Sequence, residues 1–336
     1  MFPVGGRDTP FLEVNGLRKL FPVQRSFIAQ LFSRSPAESV RAVDGVTFSV
    51  ERGDVFGLVG ESGSGKTTTG RVTAGLLRPT EGSVTVDGTE LFSIPKPELR
   101  RFRKRMQLVY QDPLSSLNPK MTVGDAVGEP LRYLSDDAAS KRRDRVFELL
   151  ERVGLSPAES FYYRYPHQLS GGQRQRVVIA RALSIGPEYL VADEPVAMVD
   201  VSVRAQIMDL LLTMQRELDL TILLITHDLA VAKYMCNKIA VMYLGKIMEY
   251  GKTEDLFRNP LHPYTKALLA AVPIPDPRKR SEKHIPSGEI PSALNPPTGC
   301  VFHPRCPRVF DRCSVDVPQL LEYESGHFVA CHLYSK

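Results

Sequence analysis

One eight-residue stretch constrains the fold of this chain more than any other feature of its sequence. It reads Gly60-Glu61-Ser62-Gly63-Ser64-Gly65-Lys66-Thr67 and directly follows the apolar residues 55–59. A strand, a glycine-rich turn and a helix in this order form a phosphate-binding loop, because the glycines let successive N–H groups point at one anion and the helix adds its positive end. In such a loop Lys66 reaches the β- and γ-phosphates, the Thr67 hydroxyl holds Mg²⁺, and Thr68 belongs to the same site. The sequence therefore predicts a nucleotide site.

Composition bounds the architecture around this loop. The chain has 336 residues, of which 43% are hydrophobic and 24% charged, so we expect a soluble globular protein with one large domain and a smaller one. No run approaches the roughly 18 apolar residues of a membrane span, and the first residues lack the apolar core of a signal peptide. A location in the cytoplasm is therefore expected. The formal net charge of +5 permits a nucleic acid or an anionic membrane as a partner without requiring one.

Polar side chains follow two further apolar segments. Residues 189–192 end in Asp193 and Glu194, and residues 221–225 are followed by Thr226 and His227. Buried parallel strands deliver such side chains to the carboxyl edge of their sheet, so we expect both groups beside the phosphate loop. Asp193 is then placed to hold the Mg²⁺ shell, and Glu194 to polarise the water that attacks the γ-phosphate. For His227 a purely structural role remains the alternative.

A second anion site is predicted at the start of another helix. Ser170, Gly171, Gly172 and Gln173 lie at the N-terminal end of the helical segment 174–183. This end of a helix offers N–H groups, a hydroxyl and the positive end of the helix dipole to a phosphate. The sequence thus predicts two places that can each bind a phosphate group.

The remaining segments predict how these sites are framed. Alternating patterns at residues 11–14 and 46–50 predict half-buried antiparallel strands, and residues 83–86 with a turn at 87–88 predict another strand. The helix after the phosphate loop is expected to stop near Pro79, and residues 121–154 are expected to be mostly helical, with Gly154 as the stop. Residues 24–41 predict an inserted loop or a short helix.

Two features carry a less specific signal. Phe21 follows the first predicted strand and is placed to offer its ring to an adenine base, with packing in the core as the alternative. The basic run at residues 100–105 is interpreted first as a solvated face, second as a docking surface for a partner and third as a site for a nucleic-acid backbone.

Together these motifs resemble the ATPase subunits of ABC transporters. The resemblance covers roughly residues 11–250 and rests on the phosphate loop, Gln111, the Leu169-Ser170-Gly171-Gly172-Gln173 stretch, Asp193-Glu194, Asp200 and His227. It implies a P-loop NTPase fold of the α/β class, with a parallel sheet core, an antiparallel β subdomain and a helical signature subdomain at about residues 112–185. One departure is Ala197-Met198-Val199 before Asp200, where the family usually has Ser-Ala-Leu.

The same resemblance implies how the parts work together. Two ATPase domains pair head to tail, and ATP lies between the phosphate loop of one and residues 170–173 of the other. Phe21 then stacks on adenine, Gln111 senses Mg²⁺ and water while facing the membrane partner, His227 contacts the γ-phosphate, and Asp200 serves communication across the dimer. The expected cofactors are ATP and Mg²⁺.

The end of the chain carries a cluster of cysteines. Cys300, Cys306, Cys313 and Cys331 lie in a small region with little apolar sequence. Four thiolates suit an iron–sulfur cluster or a zinc ion, with reduced or disulfide-linked cysteines as the remaining alternative. Before them, the proline-rich residues 259–277 predict a linker or an extended arm. The cysteine spacing and the segment 262–265, His-Pro-Tyr-Thr, resemble the C-terminal extension of oligopeptide/dipeptide importers, which implies a [4Fe-4S] cluster.

These expectations define a function. We expect an ABC ATPase domain at residues 1–258, an oligopeptide/dipeptide-type extension at residues 259–336, and ATP hydrolysis that energises an importer of oligopeptides or dipeptides at the cytoplasmic face of the membrane. The expected partners are a second ATPase subunit in a heterodimer, two transmembrane permease subunits and, indirectly, an extracytoplasmic solute-binding protein, with no nucleic acid. The insertion at residues 24–41 makes the chain similar to the second, F-type ATPase of such importers. Import of oligosaccharides or metal chelates, and a soluble ABC ATPase acting on nucleic acid, are the alternatives.

Overall fold

The structure is a computed structural model that describes residues 9–23, 38–134, 138–271 and 288–335. Most of the predicted insertion, residues 24–37, lies outside the described residues, as does the proline-rich segment at residues 272–277. Residues 39–41, which the insertion was expected to include, belong to a strand. None of the described helices is long and apolar enough to cross a membrane.

The described residues form twelve β-strands and twelve α-helices. The strands are β1 (Leu12–Pro22), β2 (Ser39–Val50), β3 (Val55–Val59), β4 (Glu81–Val86), β5 (Thr89–Glu90), β6 (Met106–Val109), β7 (Tyr189–Asp193), β8 (Thr221–Thr226), β9 (Lys238–Tyr243), β10 (Lys246–Lys252), β11 (Leu321–Glu324) and β12 (His327–Val329). The helices are α1 (Lys66–Thr73), α2 (Lys96–Phe102), α3 (Pro113–Ser116), α4 (Val123–Leu134), α5 (Ala139–Arg152), α6 (Ala158–Tyr162), α7 (Gly171–Leu183), α8 (Val201–Leu218), α9 (Leu229–Met235), α10 (Thr253–Arg258), α11 (Pro263–Ala271) and α12 (Asp311–Val315).

A parallel sheet forms the centre of the fold. Its strands follow the order β9-β3-β8-β7-β6, and every neighbouring pair in this part of the sheet is parallel. All residues of β3, β7 and β8 are buried, which explains their nearly continuous apolar sequences. Because these strands run in the same direction, the residues that follow them meet at one edge. The predicted parallel α/β core is confirmed.

A second, antiparallel sheet packs against this core. Its order is β2-β1-β4-β5, and Leu12 of β1 lies opposite Val50 of β2 and Val86 of β4. Phe48 of β2 stacks on Phe56 of β3, with ring centroids 4.9 Å apart. The antiparallel strands predicted from the alternating patterns are therefore confirmed, and their apolar faces are buried against the parallel sheet.

The helices between β6 and β7 pack on one another. Val146, Leu149 and Leu150 lie on one buried stripe of α5, as their spacing predicted. Gly154 follows α5 at φ +75°, a backbone conformation that suits glycine at the end of a helix. The predicted helical character of residues 121–154 is confirmed for the part of this segment that the structure describes.

The helix after the phosphate loop is shorter than predicted. α1 ends at Thr73, and Gly75 adopts φ +68°, so this glycine turns the chain before Pro79 is reached. The interpretation of residues 100–105 as a solvated face was also wrong in part. Arg103 and Lys104 donate to the carbonyls of Gly75 and Leu134, and Arg105 forms ion pairs with the Asp87 and Glu188 carboxylates at 2.6 Å.

The segment after β10 is ordered into helices. The prediction of a linker or extended arm was wrong for residues 263–271, which form α11. Pro263 opens this helix, and proline suits the first helical turn because its missing N–H has no partner there in any case. Farther on, β12 pairs with β10, and β11 pairs with β12, so the end of the chain extends the central sheet.

Candidate functional site

The phosphate loop joins β3 to α1 and is packed tightly from outside. Gly65 immediately precedes α1 with φ +101°, and an added Cβ would lie 2.1 Å from the Ala42 carbonyl oxygen. A Cβ added at Gly60 would lie equally close, 2.1 Å, to the Met242 carbonyl oxygen. Strands β2 and β9 therefore leave room only for glycine at these two positions, and the loop is held in its curved shape.

Lys66 is buried within the curve of this loop. Its Nζ donates to the carbonyl oxygens of Gly60 and Glu61, both at 2.8 Å, and to the Ser64 hydroxyl at 3.3 Å. Burial lowers the pKa of Lys66 below its ordinary value, while the Glu194, Asp193 and Glu61 carboxylates oppose this shift. The ammonium group is thus held at the centre of the predicted phosphate site.

Asp193 at the end of β7 faces the start of α1. The Thr67 hydroxyl donates to Asp193 Oδ1 at 3.1 Å. Burial raises the pKa of the Asp193 carboxyl, the Thr67 hydrogen bond opposes that shift, and the Glu194 charge adds to it. A hydroxyl and a carboxylate at this distance are the oxygen ligands that Mg²⁺ uses when substrate phosphates and water complete its shell.

Glu194 and His227 lie in contact at the same edge. Glu194 Oε1 is 2.6 Å from His227 Nδ1. The Glu194 backbone adopts φ +50°, and its N–H donates to the Ile225 carbonyl of β8. The surrounding structure holds this strained backbone in place, and among the described non-glycine residues with positive φ, Glu194 is the one that lines the cavity. The imidazole remains largely exposed, whereas the carboxylate is buried, so His227 covers Glu194 on the open side.

A cavity of about 730 Å³ brings most of the predicted residues together. The predicted site residues that line it are Gly60, Glu61, Ser62, Gly63, Gly65, Lys66, Thr67, Thr68, Gln111, Asp193, Glu194 and His227. Ser64 lies just beneath them, buried and in contact with Lys66. The predicted phosphate loop thus lines the same cavity as two carboxylates and one imidazole.

The predicted second anion site lies elsewhere. None of Ser170, Gly171, Gly172, Gln173 and Asp200 is among the described residues that line the cavity. Ser170 caps α7: its hydroxyl accepts from the Gln173 N–H at 3.3 Å, and Gln173 Oε1 accepts from the Ser170 N–H at 3.0 Å. Ser170 is exposed, so this helix start is accessible to a ligand that a second molecule carries.

Phe21 lies at the end of β1, opposite Val40 of β2. Phe21 is 39% exposed, so the alternative that it packs in the core is wrong. The Lys19 ammonium lies 5.3 Å from the ring centroid. Phe21 does not line the cavity among the described residues, although its pairing partner Val40 does. The cavity is therefore lined by the pairing partner of Phe21 and not by Phe21 itself.

Sequence reasoning missed several residues of the site. Leu268, Ile290 and Ala293 line the same cavity, and the Arg41 N–H donates to the Ala293 carbonyl at 3.0 Å. They come from the C-terminal part of the chain, which was assigned no role at the nucleotide. No local motif marks these residues, because only the folding of the extension onto β2 brings them to the loop.

The four C-terminal cysteines lie near one another. Cys300 and Cys313 are buried, and the Cys300 N–H donates to the Cys313 carbonyl at 2.8 Å. Burial raises the pKa of the Cys300 thiol to about 11, and the neighbouring Cys331, Cys313 and Cys306 add to this shift. In the part of the chain that the structure describes, no group of three or more His, Cys, Asp or Glu side chains is arranged to hold a metal ion. The predicted metal centre thus gains no support from the structure.

Comparison with known proteins places these features in a family. The family model for ABC transporters matches residues 43–197, and the model described as the oligopeptide/dipeptide transporter C-terminal region matches residues 248–313. The protein YkfD of Bacillus subtilis (strain 168) is 50% identical over 321 residues, which cover 95% of this chain and 97% of YkfD. The chain belongs to the ABC transporter family. The recognition made from the motifs is confirmed, and the chain is an ABC ATPase.

Further relatives are similar to this ABC ATPase along most of its length. AppF, an oligopeptide transport ATP-binding protein of Bacillus subtilis (strain 168), is 46% identical over 329 residues, covering 96% of this chain and 97% of AppF. Among solved structures, the dimeric post-hydrolysis state of the ATP-binding cassette MJ0796 bound to ADP and Pi has a TM-score of 0.63 and 30% identity. It covers 72% of this chain and 98% of that structure's chain.

Proposed function

We propose that this ABC ATPase energises the import of oligopeptides or dipeptides by binding and hydrolysing ATP. The observation that carries the proposal is one cavity, in which Asp193, Glu194 and His227 lie beside the phosphate loop and its Lys66. The peptide class rests on the relatives: AppF is an oligopeptide transport ATP-binding protein, and the C-terminal family model is that of oligopeptide/dipeptide transporters. Oligosaccharides and metal chelates remain the alternative cargoes.

The residues of the cavity divide the chemistry among them. The loop N–H groups and the Lys66 ammonium bind the phosphates and meet the charge that develops on the transferred phosphoryl group. Glu194 orients the attacking water, and His227, in contact with Glu194 at 2.6 Å, is placed to reach the γ-phosphate. Gln111 lines the same cavity and is proposed to sense Mg²⁺ and the attacking water.

The residues present fit Mg²⁺. Thr67 and Asp193 supply one hydroxyl and one carboxylate at the foot of the loop, and Mg²⁺ in nucleotide sites takes few protein ligands because phosphates and water complete its octahedron. When bound, the ion neutralises phosphate charge during transfer. The protein contributes to Mg²⁺ binding by holding the Thr67 hydroxyl and the Asp193 carboxylate on one side of the cavity.

Replacing Glu194 by Gln tests this assignment. The amide keeps the size of the side chain but loses the negative charge that orients the water, so kcat should fall by at least about a hundredfold. Equilibrium ATP binding should stay within about threefold of wild type, since the phosphate-binding groups are unchanged. Glu217→Gln, at an exposed position near the end of α8, serves as the matched control. Unchanged hydrolysis by Glu194→Gln would contradict the assigned role.

A second ATPase subunit is the proposed partner at the nucleotide. Residues 170–173 lie outside the cavity yet offer an exposed, capped helix start, which supports a site completed by a partner's copy of this stretch. The partner is proposed to be a different chain, as in importers with an F-type second ATPase. Specific activity should rise with protein concentration, and a different ABC ATPase chain that pairs with this one should raise it further. Full activity from a proven monomer would contradict the paired site.

Permease subunits are the proposed membrane partners, and the chain is proposed to lie at the cytoplasmic face of the membrane. A groove of about 520 Å³ between α2, α4 and α7 is lined by Arg100, Tyr110 and Tyr133, and both tyrosines are exposed. It opens next to the strand that delivers Gln111, so a short permease helix seated here would lie near Gln111 and the nucleotide cavity. Tyr133→Ala is expected to weaken co-purification with the permeases while leaving ATP binding unchanged. Because Arg103, Lys104 and Arg105 are engaged within the chain, the nucleic-acid alternative is disfavoured.

The cysteine region is proposed to hold a [4Fe-4S] cluster within an extension that spans residues 259–336. The four cysteines match this group in ligand type and number, and the Cys300 N–H donates to the Cys313 carbonyl at 2.8 Å in the same region. When bound, it would cross-link four points of a region with little apolar core. Iron and sulfide analysis together with visible absorbance of anaerobically purified protein tests the assignment. Colourless protein with stoichiometric zinc, or with no metal, would contradict it.

A further inference from the structure

The second residue of the phosphate loop, Glu61, is held at three points. Its carboxylate receives two hydrogen bonds from the Arg305 guanidinium: Nη1 to Oε2 at 2.8 Å and Nη2 to Oε1 at 3.2 Å. Its N–H donates to the Tyr264 hydroxyl at 3.0 Å. Its carbonyl accepts from Lys66 Nζ at 2.8 Å. Two of these three contacts come from the C-terminal part of the chain.

Both contacting side chains are firmly placed. The Arg305 side chain is 8% exposed, and its Nη1 also donates to the Tyr243 hydroxyl of β9 at 3.3 Å. Arg305 ends the short 3₁₀ turn at residues 303–305, where its N–H donates to the Phe302 carbonyl. Tyr264 lies in the first turn of α11, is fully buried, and packs against the rings of Tyr243 and Phe302. The groups that hold Glu61 therefore belong to one packed unit.

We propose that Arg305 and Tyr264 are positioning residues of the ATP site, which hold Glu61 so that the phosphate loop is shaped for the triphosphate and free of uncompensated negative charge. The proposal rests on the ATP site described above and adds the C-terminal extension to it. It assigns to this extension a role in nucleotide binding that is separate from any metal its cysteines hold.

The charge of Glu61 is the first reason for this assignment. Glu61 lines the cavity that the triphosphate enters, so an unpaired carboxylate there would repel the substrate. The two-point contact with Arg305 compensates that charge, and a guanidinium is suited to this because its fork matches both carboxylate oxygens. The Arg305 side chain is mostly buried, so water screens this interaction less than it would at the surface.

The shape of the loop is the second reason. The hydroxyl of Tyr264 fixes the peptide group between Gly60 and Glu61, and Lys66 fixes the next peptide through the Glu61 carbonyl. Fixing these two peptides before ATP arrives removes part of the ordering cost of binding. Since the loop contacts phosphates in the substrate and in the transition state alike, loss of this support should raise KM and Kd more than it lowers kcat.

Titration of the full-length protein with ATP tests the proposal. Arg305→Gln should weaken ATP binding about tenfold, which corresponds to about 1.4 kcal/mol. In hydrolysis assays, KM should rise by a similar factor and kcat should stay within about twofold. Tyr264→Phe keeps the buried ring and loses only the hydroxyl, so about threefold weaker binding is expected. Arg308→Gln, at an exposed position three residues from Arg305, is the matched control and should bind like wild type.

A second substitution separates compensation of charge from mere loosening of the extension. Adding Glu61→Gln to Arg305→Gln removes the carboxylate that repels ATP, so affinity should return to within about threefold of wild type. A loosened extension would not be repaired in this way. The thermal midpoint of each variant without nucleotide shows whether it folds.

The proposal is overturned if Arg305→Gln binds ATP as tightly as wild type, or if the double variant binds as weakly as Arg305→Gln. Wild-type affinity in Tyr264→Phe would remove Tyr264 from it. These outcomes differ from failure of the proposed function itself, in which wild type and Arg308→Gln would bind no ATP. If Arg305→Gln alone folds poorly, the double variant, which leaves no unpaired carboxylate, is compared with wild type instead, and Tyr264→Phe tests the other contact with Arg305 in place.

Discussion

Replacing Glu249 by Gln should detach part of the C-terminal extension from the ATPase core. Glu249 lies on β10 and is fully buried. Its Oε1 accepts from the Leu261 N–H and from His327 Nε2, and its Oε2 accepts from the His262 N–H, each at 2.8 Å. Three donors from two separate segments therefore converge on one carboxylate, which joins the entry to α11 and strand β12 to the central sheet.

The magnitude follows from what an amide can accept. If the Gln oxygen takes the place of Oε1, it still accepts from Leu261 and His327. Its NH₂ group then faces the His262 N–H, so that hydrogen bond is lost outright. Hydrogen bonds to charged groups contribute about 1.5–3 kcal/mol, and the two that remain fall to about 1 kcal/mol each. The free energy of unfolding should thus fall by about 4 kcal/mol. At about 2 °C for each kcal/mol in a chain of this size, the thermal midpoint should fall by about 8 °C.

Thermal unfolding followed by circular dichroism, without nucleotide, measures this change. Glu254→Gln is the matched control: it lies nearby in the exposed first turn of α10 and should shift the midpoint by no more than about 2 °C. ATP affinity is a second readout, because α11 carries the tyrosine that contacts the phosphate loop. A Glu249→Gln midpoint equal to that of the control would refute the reasoning that this carboxylate secures the extension.

Three further changes test other parts of the molecule. Asp193→Asn should abolish Mg²⁺-dependent hydrolysis and yet raise the midpoint of the nucleotide-free protein at pH 7, because burial raises the pKa of the Asp193 carboxyl above 3.8 and its ionised form costs stability. This gain should shrink as the pH falls through the raised pKa and vanish below 3.8; an equal gain at every pH would argue against it. Burial lowers the pKa of His262 from 6.5 to about 4, so the unfolded chain takes up the proton first and wild type should lose about 3 kcal/mol between pH 6.5 and pH 4. Urea titrations of His262→Asn at both pH values should show a smaller loss, and an unchanged loss would exclude His262 as its source. Gly65→Ala should destabilise the protein by about 2 kcal/mol more than Gly63→Ala, since both have positive φ but only the Cβ at Gly65 meets a backbone oxygen, that of Ala42 at 2.1 Å; equal destabilisation would show that the contact is relieved without cost.

Local pattern was enough for the central sheet and for most of the nucleotide cavity. A buried strand followed by Asp193 and Glu194, and a phosphate loop followed by α1, are signals contained within a few residues, and parallel strands must then deliver their tips to one edge. These local motifs, together with the common direction of parallel strands, explain why the sequence predicted that these groups meet. The helix start at Ser170 was found in the same way, because capping chemistry is also local.

Where local signals compete, prediction from the sequence was less accurate. Pro79 was expected to end the first helix, but Gly75 ended it, since a glycine at positive φ turns the chain as soon as it is reached. Pro263 was interpreted as part of an extended arm, although proline at a first helical position favours the helix that follows. In both cases a proline or glycine correctly indicated that a helix ends or begins nearby. Its position relative to that helix decided where the boundary lies.

By itself, then, the sequence determined that this chain binds a nucleotide at a phosphate loop and that Asp193, Glu194 and His227 join it, because each signal is local and the parallel sheet aligns them. Only the tertiary structure decided what surrounds Glu61. Arg305 lies 244 residues from it in the chain and Tyr264 lies 203 residues from it, and no spacing or periodicity connects residues so far apart. Their contact depends on α11 and the 3₁₀ turn at residues 303–305 packing against β9, and such packing arises from complementary shapes that the order of residues does not display.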